Sequence, residues 1–252
     1  SDLMATRPAA TPAAMAPGAT RTVITKRLRF AGVIAIVLLA AGIFYFAVGR
    51  PIQVLPRVAA APPFELVDPW GAPLLAPAGS DRITLYTFGA SRNEAGLAEV
   101  ERAYREIGGA LAEAGYGDDV RFVYITVDPD FDTPEVLRPV AEAMARSGEG
   151  LPEFTFLTGS WLAIRMAVGT GFGVYFEAAR SGQAAHDLPP PAYEPVLIVV
   201  DADHVIRARY GLKDATPEAL LRDMRLLEKE ANATGASRLL YEGAHLFLCY
   251  PR

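Results

Sequence analysis

The sequence predicts an α/β fold in which a strand–helix–strand unit precedes a strand–strand–helix unit around a mixed central sheet. Two observations carry this prediction. Short runs of β-branched and aromatic residues alternate with amphipathic stretches, and a single 19-residue run near the start of the chain lacks charge and proline. With 252 residues, 51% of them hydrophobic, the chain is long enough for one domain of ordinary size plus extensions.

The first element is the apolar run over residues 30–48. As a helix rising about 1.5 Å per residue, it matches a hydrocarbon layer of roughly 30 Å. Three basic side chains precede it within 26–29 and only Arg50 follows it, so the positive-inside rule predicts residues 1–29 as a cytoplasmic, disordered basic tail. A signal peptide cleaved near 59–61 is the alternative. We therefore expect a single-pass protein of the inner (cytoplasmic) membrane with a periplasmic domain.

The next segments form the strand–helix–strand unit. Residues 49–63 are predicted as a linker, because their prolines prevent a helix. Arg82–Phe88 reads as a strand, residues 94–114 carry an apolar stripe at spacings of three and four, and Val120–Val127 reads as a second strand. Short links between these elements imply a right-handed parallel unit.

The second half of the domain reads as a strand–strand–helix unit. Val196–Val200 is continuously apolar and so predicted as a central strand, Val205–Tyr210 alternates as a returning strand, and Thr216 with Pro217 starts a helix. Between the two halves the sequence predicts a helix from Pro134, a strand over 154–157 and a helix from Ser160. This order of elements is typical of a thioredoxin-like domain.

We place the thioredoxin-like domain over residues 64–231 and an apolar C-terminal tail over 232–252. The apolar run over 244–250 is too short to span a bilayer. It either packs back on its own domain or contacts the membrane surface or a partner subunit, and the sequence leaves these alternatives open. Cys249 within the tail is predicted as a small buried apolar residue.

Composition excludes several kinds of site. One cysteine cannot form an intramolecular disulfide, a CxxC pair or a c-type haem attachment, and three histidines (His186, His204 and His245) make a multi-histidine metal site hard to assemble. Residues 1–50 carry a net charge of +5 and the remainder −10. A domain this acidic repels phosphate backbones, so we expect no nucleic-acid partner.

Three local motifs could mark sites, and each has a simpler interpretation. An acidic run imitates the start of a calcium loop, at Asp128, Asp130 and Asp132, but Thr133 and Pro139 stand where that loop needs glycine and glutamate. We interpret it as an acidic turn that caps a helix. The pair His186 and Asp187 is predicted as a solvated loop. Asn232 begins a glycosylation triplet of a kind that occurs by chance.

Six short segments follow one another in the order of a known family. They are residues 64–71, 84–89, 127–135, 156–159, 172–174 and 199–203, of which the third, reading V-D-P-D-F-D-T-P-E, is the most specific. Together they resemble the Sco/SenC family of membrane-anchored thioredoxin-fold proteins and extend over residues 64–230. The resemblance implies a thioredoxin-like fold behind a membrane anchor.

The residues that would carry the family's chemistry are missing. The resemblance implies copper binding through a C-P-x-x-x-C segment after the first core strand and a histidine before the penultimate one. Here the loop over 90–96 contains no cysteine, and the histidine position falls near Tyr193 or Glu194. Soft copper(I) needs thiolate or thioether ligands, and thiol–disulfide exchange needs a thiolate with a resolving partner. We therefore predict no catalytic residue, no cofactor, no cofactor-binding residue and no metal ligand.

The resemblance and the missing ligands together predict a protein that is not an enzyme. We expect a membrane-anchored structural or assembly subunit of a respiratory or photosynthetic electron-transfer complex, of the cytochrome oxidase or quinol-oxidising alternative complex III type. Its partners would be the subunits of that complex and the bilayer, through residues 30–48. The alternative is copper delivery to cytochrome oxidase through atypical ligands such as His186, Met166 or a partner's cysteine. A thiol peroxidase would need a reactive thiol near 90–93, where the sequence has none.

Overall fold

The computed structural model describes residues 19–49, 53–76, 81–177 and 189–248. The chain divides into two compact units, Ser1–Pro51 and Ile52–Arg252. The described part of the first unit is one helix, α1 (Ala19–Gly49). It contains the predicted apolar run and begins eleven residues before it, so residues 19–29 are helical where the sequence predicts a disordered tail. No proline or glycine interrupts these residues, and the helix continues through them.

The membrane span predicted over 30–48 is only partly described. The side chains of residues 29–44 are described and exposed, while those of residues 45–48 lie outside the described residues. Across the described ranges, no helix has both the length and the apolar character needed to cross a membrane. Most of the predicted tail, residues 1–18, also lies outside the described residues.

The second unit is built on a mixed sheet that confirms the predicted α/β class. Its strands are β1 (Ala59–Ala60), β2 (Phe64–Val67), β3 (Pro73–Ala76), β4 (Ile83–Gly89), β5 (Val120–Thr126), β6 (Glu153–Leu157), β7 (Val196–Val200) and β8 (Val205–Gly211). Six of them form one sheet in the order β1-β8-β7-β4-β5-β6, and β2 pairs with β3 as a separate antiparallel hairpin. Within the large sheet β4, β5 and β6 are parallel, while β7 is antiparallel to both of its neighbours.

Five helices accompany these strands in the described part of the second unit. They are α2 (Glu94–Glu113), α3 (Pro134–Ser147), α4 (Trp161–Ile164), α5 (Pro217–Ala231) and α6 (Gly235–Leu248). The helix predicted from Ser160 is α4, which passes directly into a π-helical segment, Arg165–Gly171. Helix α3 continues past Pro139, which lies inside it.

Alternation along the central strands divides the core into two layers. Leu85, Phe122 and Tyr124 point to the face on which α2 and α5 pack. Tyr86 and Phe88 point to the opposite face, with the π-helical segment and the β2–β3 hairpin. Because β4 and β5 are covered on both faces, almost every residue along them is buried.

The two ends of the second unit differ from their predicted form. Residues 59 and 60, within the predicted linker, form β1 and pair with Ile206 and Val205 at the edge of the sheet. The C-terminal tail forms α6, whose described side chains include buried Ala244 and His245. Part of the tail therefore packs back on its own domain. Cys249 lies outside the described residues.

Candidate functional site

The loop between β4 and α2, residues 90–93, stands where the family resemblance places the reactive segment. Strand β4 ends at Gly89, Ala90 is fully buried, and Asn93 caps α2 by accepting a hydrogen bond from the Gly96 amide at 3.1 Å. In a thioredoxin-like fold this is the end of a central strand at the start of the first helix. The loop packs against the turn over residues 127–133, between β5 and α3.

Hydrogen bonds to the Asp132 carboxylate connect the turn to the loop. Its buried carboxylate accepts hydrogen bonds from the Ser91 amide at 3.0 Å, from the Ser91 hydroxyl, and from the Thr126 hydroxyl at 2.5 Å. Burial raises the pKa of the Asp132 carboxyl, and the hydrogen bonds from Ser91 and Thr126 oppose that rise. The same Thr126 hydroxyl accepts from the Asp128 amide at 3.0 Å. These contacts fix the loop and the turn as one unit.

An ion pair between Arg92 and Asp128 is the second connection between the loop and the turn. The Arg92 Nε donates to Asp128 Oδ2 at 2.6 Å, and both side chains are largely buried, with 15% and 8% of their surfaces exposed. The guanidinium carbon also lies 4.9 Å from the centre of the Phe131 ring, within cation–π distance. A cation is thus held where the resemblance implies a reactive thiol segment.

Tyr193 approaches the loop from the segment before β7. Its hydroxyl lies 3.4 Å from Asn93 Nδ2, and burial raises the pKa of Tyr193, with the charge of Glu99 adding to the rise. A Cβ built on Gly96 would lie 2.1 Å from this hydroxyl, so glycine is required for the close approach. Of the two positions that the sequence suggests for the family's histidine, Tyr193 faces the loop, whereas Glu194 accepts from Arg209 Nη2 at 2.7 Å.

Two buried hydroxyls lie on the same face of the sheet. Tyr124 OH and Thr87 Oγ1 have no hydrogen-bond partner among the described residues. Burial raises the pKa of Tyr124 well above its usual value, and the nearby Asp132 charge raises it further. A Cβ on Gly89 would lie 2.7 Å from Tyr124 OH, which places this hydroxyl directly under the loop. The site is therefore lined by hydroxyl, carboxylate, amide and guanidinium groups.

This donor set does not fit copper(I). The groups that meet at the loop are hard oxygen donors and a fixed cation, whereas copper(I) favours thiolate and thioether sulfur. Within the described residues, no three His, Cys, Asp or Glu side chains are grouped so that they could hold a metal ion.

The other candidate residues do not gather into one site. Asp128 and Asp132 bind different residues of the loop, Arg92 and Ser91, and Asp130 is exposed. Met166 is 54% exposed on the π-helical segment, and Asn232 is exposed at the end of α5. His186 and Asp187 lie outside the described residues.

Sequence reasoning missed the residues that close the loop. Ser91, Arg92 and Tyr193 carry no recognisable motif, because their partners are 36 to 100 residues away in the chain. One signal was available in the alternation along β5, which places Tyr124 and Thr126 on one face. The alternation predicts that this face of β5 ends in polar side chains, but it does not identify the residues that they contact.

Several solved structures of Sco proteins have the same fold. Copper-bound ScoI of Arabidopsis thaliana is 21% identical, with 66% of this chain and 99% of that one covered at a TM-score of 0.51. Copper-bound yeast Sco1 is 18% identical, with 71% and 97% covered at 0.52. A SCO1/SenC lipoprotein of Bacillus anthracis is 20% identical, with 68% and 95% covered at 0.53. At these identities the likeness establishes the fold. No curated protein sequence matches the chain.

The sequence profile of the SCO1/SenC family matches residues 55–227, more than half of the chain. This range begins in the segment before β1 and ends within α5. It includes the mixed sheet, Tyr193 and the loop over residues 90–93, which we call the closed loop because its side chains are bonded to the β5–α3 turn. The resemblance drawn from the six sequence segments is confirmed, and the chain belongs to the SCO1/SenC family.

Proposed function

We propose that this chain is a non-catalytic member of its family, a structural or assembly subunit of a membrane electron-transfer complex. The observation that carries the proposal is the closed loop, residues 90–93. It is fastened to the β5–α3 turn through Ser91 with Asp132 and through Arg92 with Asp128. A reaction centre needs an accessible nucleophile or an open ligand position. Here the polar side chains of Ser91 and Arg92 are already bonded to carboxylates of the turn.

The charge at the loop adds a second argument. The Arg92 guanidinium is paired with Asp128 and lies against the Phe131 ring. A copper ion brought to the loop would meet this fixed cation at close range in a partly buried setting, where repulsion between like charges is strong. Binding would require Arg92 to leave its carboxylate, and that would leave Asp128 without its ion pair.

An electron-transfer complex as host is inferred from the family. Two of the similar solved structures are Sco proteins with copper bound, and the Sco/SenC resemblance implies work on the copper centre of cytochrome oxidase. A relative that keeps the fold and not the ligands retains a surface for contact with such a complex. We place the chain in the inner membrane through residues 30–48 on the strength of their apolar sequence and the basic residues before them.

Copper delivery through atypical ligands is the competing function. Of the ligands that it invokes, Met166 is exposed on the π-helical segment and His186 lies outside the described residues. A lone thioether binds copper(I) weakly, so this function would need a second ligand from a partner.

Purification of the full chain from its native membranes in mild detergent tests the proposal. We expect it to elute as part of a larger complex with haem- or quinone-bearing subunits. A matched preparation of Arg92→Ala, which lacks the ion pair between the loop and the turn, separates a role of the closed loop from a role of the rest of the surface. Elution as a monomer without such companions would contradict the proposal.

A further inference from the structure

The outward side of α4 and of the π-helical segment after it is an exposed apolar surface. Leu162 and Met166 have 67% and 54% of their surfaces exposed, and Tyr175 has 67%. Trp161 and Arg165 are the residues before Leu162 and Met166, and they line one cavity with Tyr175. We call these five residues the α4 face. An apolar patch of this kind marks a surface that contacts another molecule.

The cavity within the α4 face combines aromatic walls with one cation. It has a volume of about 380 Å³, and Phe176 also lines it. The Trp161 and Phe176 rings meet edge to face, with their centroids 5.5 Å apart. Arg165 is exposed, and its guanidinium has no ion pair or hydrogen bond with any residue that the structure describes. Tryptophan, tyrosine and long basic side chains are enriched where the acyl layer of a membrane meets its headgroups, so this composition suits a lipid surface.

Charge distribution favours the same side of the domain. Over residues 154–176 the sequence contains a single charged side chain, Arg165. On the opposite side of the sheet, the outward surface of α2 carries ion pairs such as Arg102 with Glu106. Residues 51–252 sum to a charge of −10, so an anionic lipid surface repels the domain as a whole. The α4 face, with one cation and no carboxylate, is a side on which the domain can approach such a surface.

The chain enters the domain beside the α4 face. Pro62 is buried and packs so closely against the π-helical segment that a Cβ on Gly171 would clash with it. The apolar run over 30–48 ends 14 residues before Pro62. Because that many extended residues span at most about 50 Å, a bilayer entered at residue 48 lies within reach of this side of the domain. A tether of this length raises the local concentration of the lipid surface.

We propose that the α4 face rests on the surface of the bilayer, with Trp161 and Tyr175 at the level of the headgroups and Arg165 on a lipid phosphate. Leu162 and Met166 then enter the outer part of the acyl layer. The proposal rests on the membrane placement through residues 30–48 made under the proposed function, and it adds the orientation of the domain. The charged outward surfaces of α2 and α5 are thereby left for other contacts.

Tryptophan fluorescence tests this contact, because Trp70 and Trp161 are the two tryptophans of the chain. The full chain with Trp70→Phe is reconstituted into vesicles of phosphatidylglycerol and phosphatidylcholine, with the acyl chains of the phosphatidylcholine brominated in one of two matched preparations. We expect bromine to quench about half of the Trp161 emission, since a ring at the interface reaches the acyl layer. Unchanged emission from vesicle-bound chain would overturn the proposal and favour a protein subunit as the cover of the α4 face.

Vesicle flotation separates failure of this proposal from failure of the membrane placement. A chain anchored through residues 30–48 floats with the vesicles after a high-salt wash, whether or not the α4 face touches lipid. Flotation with quenching supports both. Flotation without quenching contradicts the contact of the α4 face alone, whereas a chain that does not float contradicts the anchor and the contact together.

The reciprocal variant, Trp161→Phe, reports on Trp70 in the same vesicles. The turn that carries Trp70 is held to α3, because Arg138 Nε donates to the Pro69 carbonyl at 3.2 Å. Helix α3 packs in the other core layer, with α2 and α5. We therefore expect bromine to quench Trp70 much less than Trp161. Equal quenching of the two would contradict a contact made by the α4 face.

A second pair of variants tests the face without changing its reporter. Leu162→Glu, made in the Trp70→Phe chain, places a carboxylate on an exposed position, where substitutions are tolerated by the fold. It should remove most of the quenching of Trp161, and circular dichroism checks that the domain is folded. Leu239→Glu is the matched control, an exposed leucine on α6, and should keep the quenching. Undiminished quenching in folded Leu162→Glu would overturn the proposal.

Discussion

The closed loop and a group of charged residues around Glu230 both join separate segments through arginine and carboxylate groups, but they differ in their setting. We call this group the α6 ion cluster, and its members are Arg57, Asp201, Arg207, Glu230, Glu242 and His245. The closed loop lies within the family-matched region, over the end of a central strand, and the Asp132 carboxylate that binds it is surrounded by uncharged donors. The cluster centred on Glu230 lies at the margin of that region, where the carboxylate contacts two arginines and a histidine. The first arrangement joins two segments of the matched region, whereas the second joins α5 and α6 to the segment before β1 and to β8.

The pKa shifts of the two carboxyls express this difference. Burial raises the pKa of Asp132, whereas the Glu230 pKa is lowered because hydrogen bonds and charges from Arg207, His245 and Arg57 outweigh burial. A lowered pKa in the folded state contributes stability above the unfolded value, and that stability is lost as pH falls through the folded value. A carboxyl whose pKa is raised in the folded state destabilises the protein at high pH, and that cost is removed as pH falls through the folded value. Acid should therefore weaken the cluster and not the loop.

The largest expected effect is on the loop, from Asp132→Ala. This change leaves the Ser91 amide and two hydroxyls without their acceptor in a buried site, and we expect a loss of about 3 kcal/mol in the free energy of unfolding. Urea denaturation followed by circular dichroism measures it. Asp130→Ala is the control, an exposed neighbour on the same turn, expected to change stability by less than about 0.5 kcal/mol. Equal effects would mean that the buried contacts do not fasten the loop.

A smaller effect is expected from Arg92→Ala. The lost ion pair with Asp128 is largely buried, so we expect about 2 kcal/mol in the same assay. Arg102→Ala removes a pair with Glu106 in which both side chains are half exposed, and should cost at most about 0.5 kcal/mol. If the two arginines behaved alike, the loop fastening would be no stronger than a surface pair.

The smallest expected effect separates the two regions by pH. Between pH 5 and pH 3.5 we expect hydrogen exchange of α6 to accelerate about threefold relative to the amides of residues 90–93, because Glu230 begins to lose its charge while protonation of Asp132 is tolerated. Exchange corrected for its intrinsic rate provides the measurement. Acceleration at the loop with α6 unchanged would reverse the assignment of the two carboxyls.

Local patterns predict the sheet and its helices well. Runs of β-branched and aromatic residues identify β4 and β5, and a continuous apolar run identifies β7. Thr216 with Pro217 marks the start of α5, where the Thr216 hydroxyl caps the helix. These features depend on neighbours in the sequence, which is why periodicity detects them.

The closed loop and the cluster could not be predicted in this way. Arg57 and Glu242 are 185 residues apart, and Ser91 and Asp132 are 41 apart. Such contacts depend on the tertiary fold, and a single sequence does not state which charge meets which. Two short features were also missed, the pairing of β1 at the sheet edge and the π-helical segment after α4. Neither has a periodic signature.

The proposed function requires that the closed loop does not bind copper. An equilibrium titration of the full chain with copper(I), against a competing chelator, tests this claim most directly. We predict no binding tighter than micromolar, in the wild-type chain and equally in Met166→Ala, because the loop offers oxygen donors and a cation in place of sulfur. Stoichiometric submicromolar binding, lost in Met166→Ala or His186→Ala, would contradict the proposed function and favour copper delivery through atypical ligands.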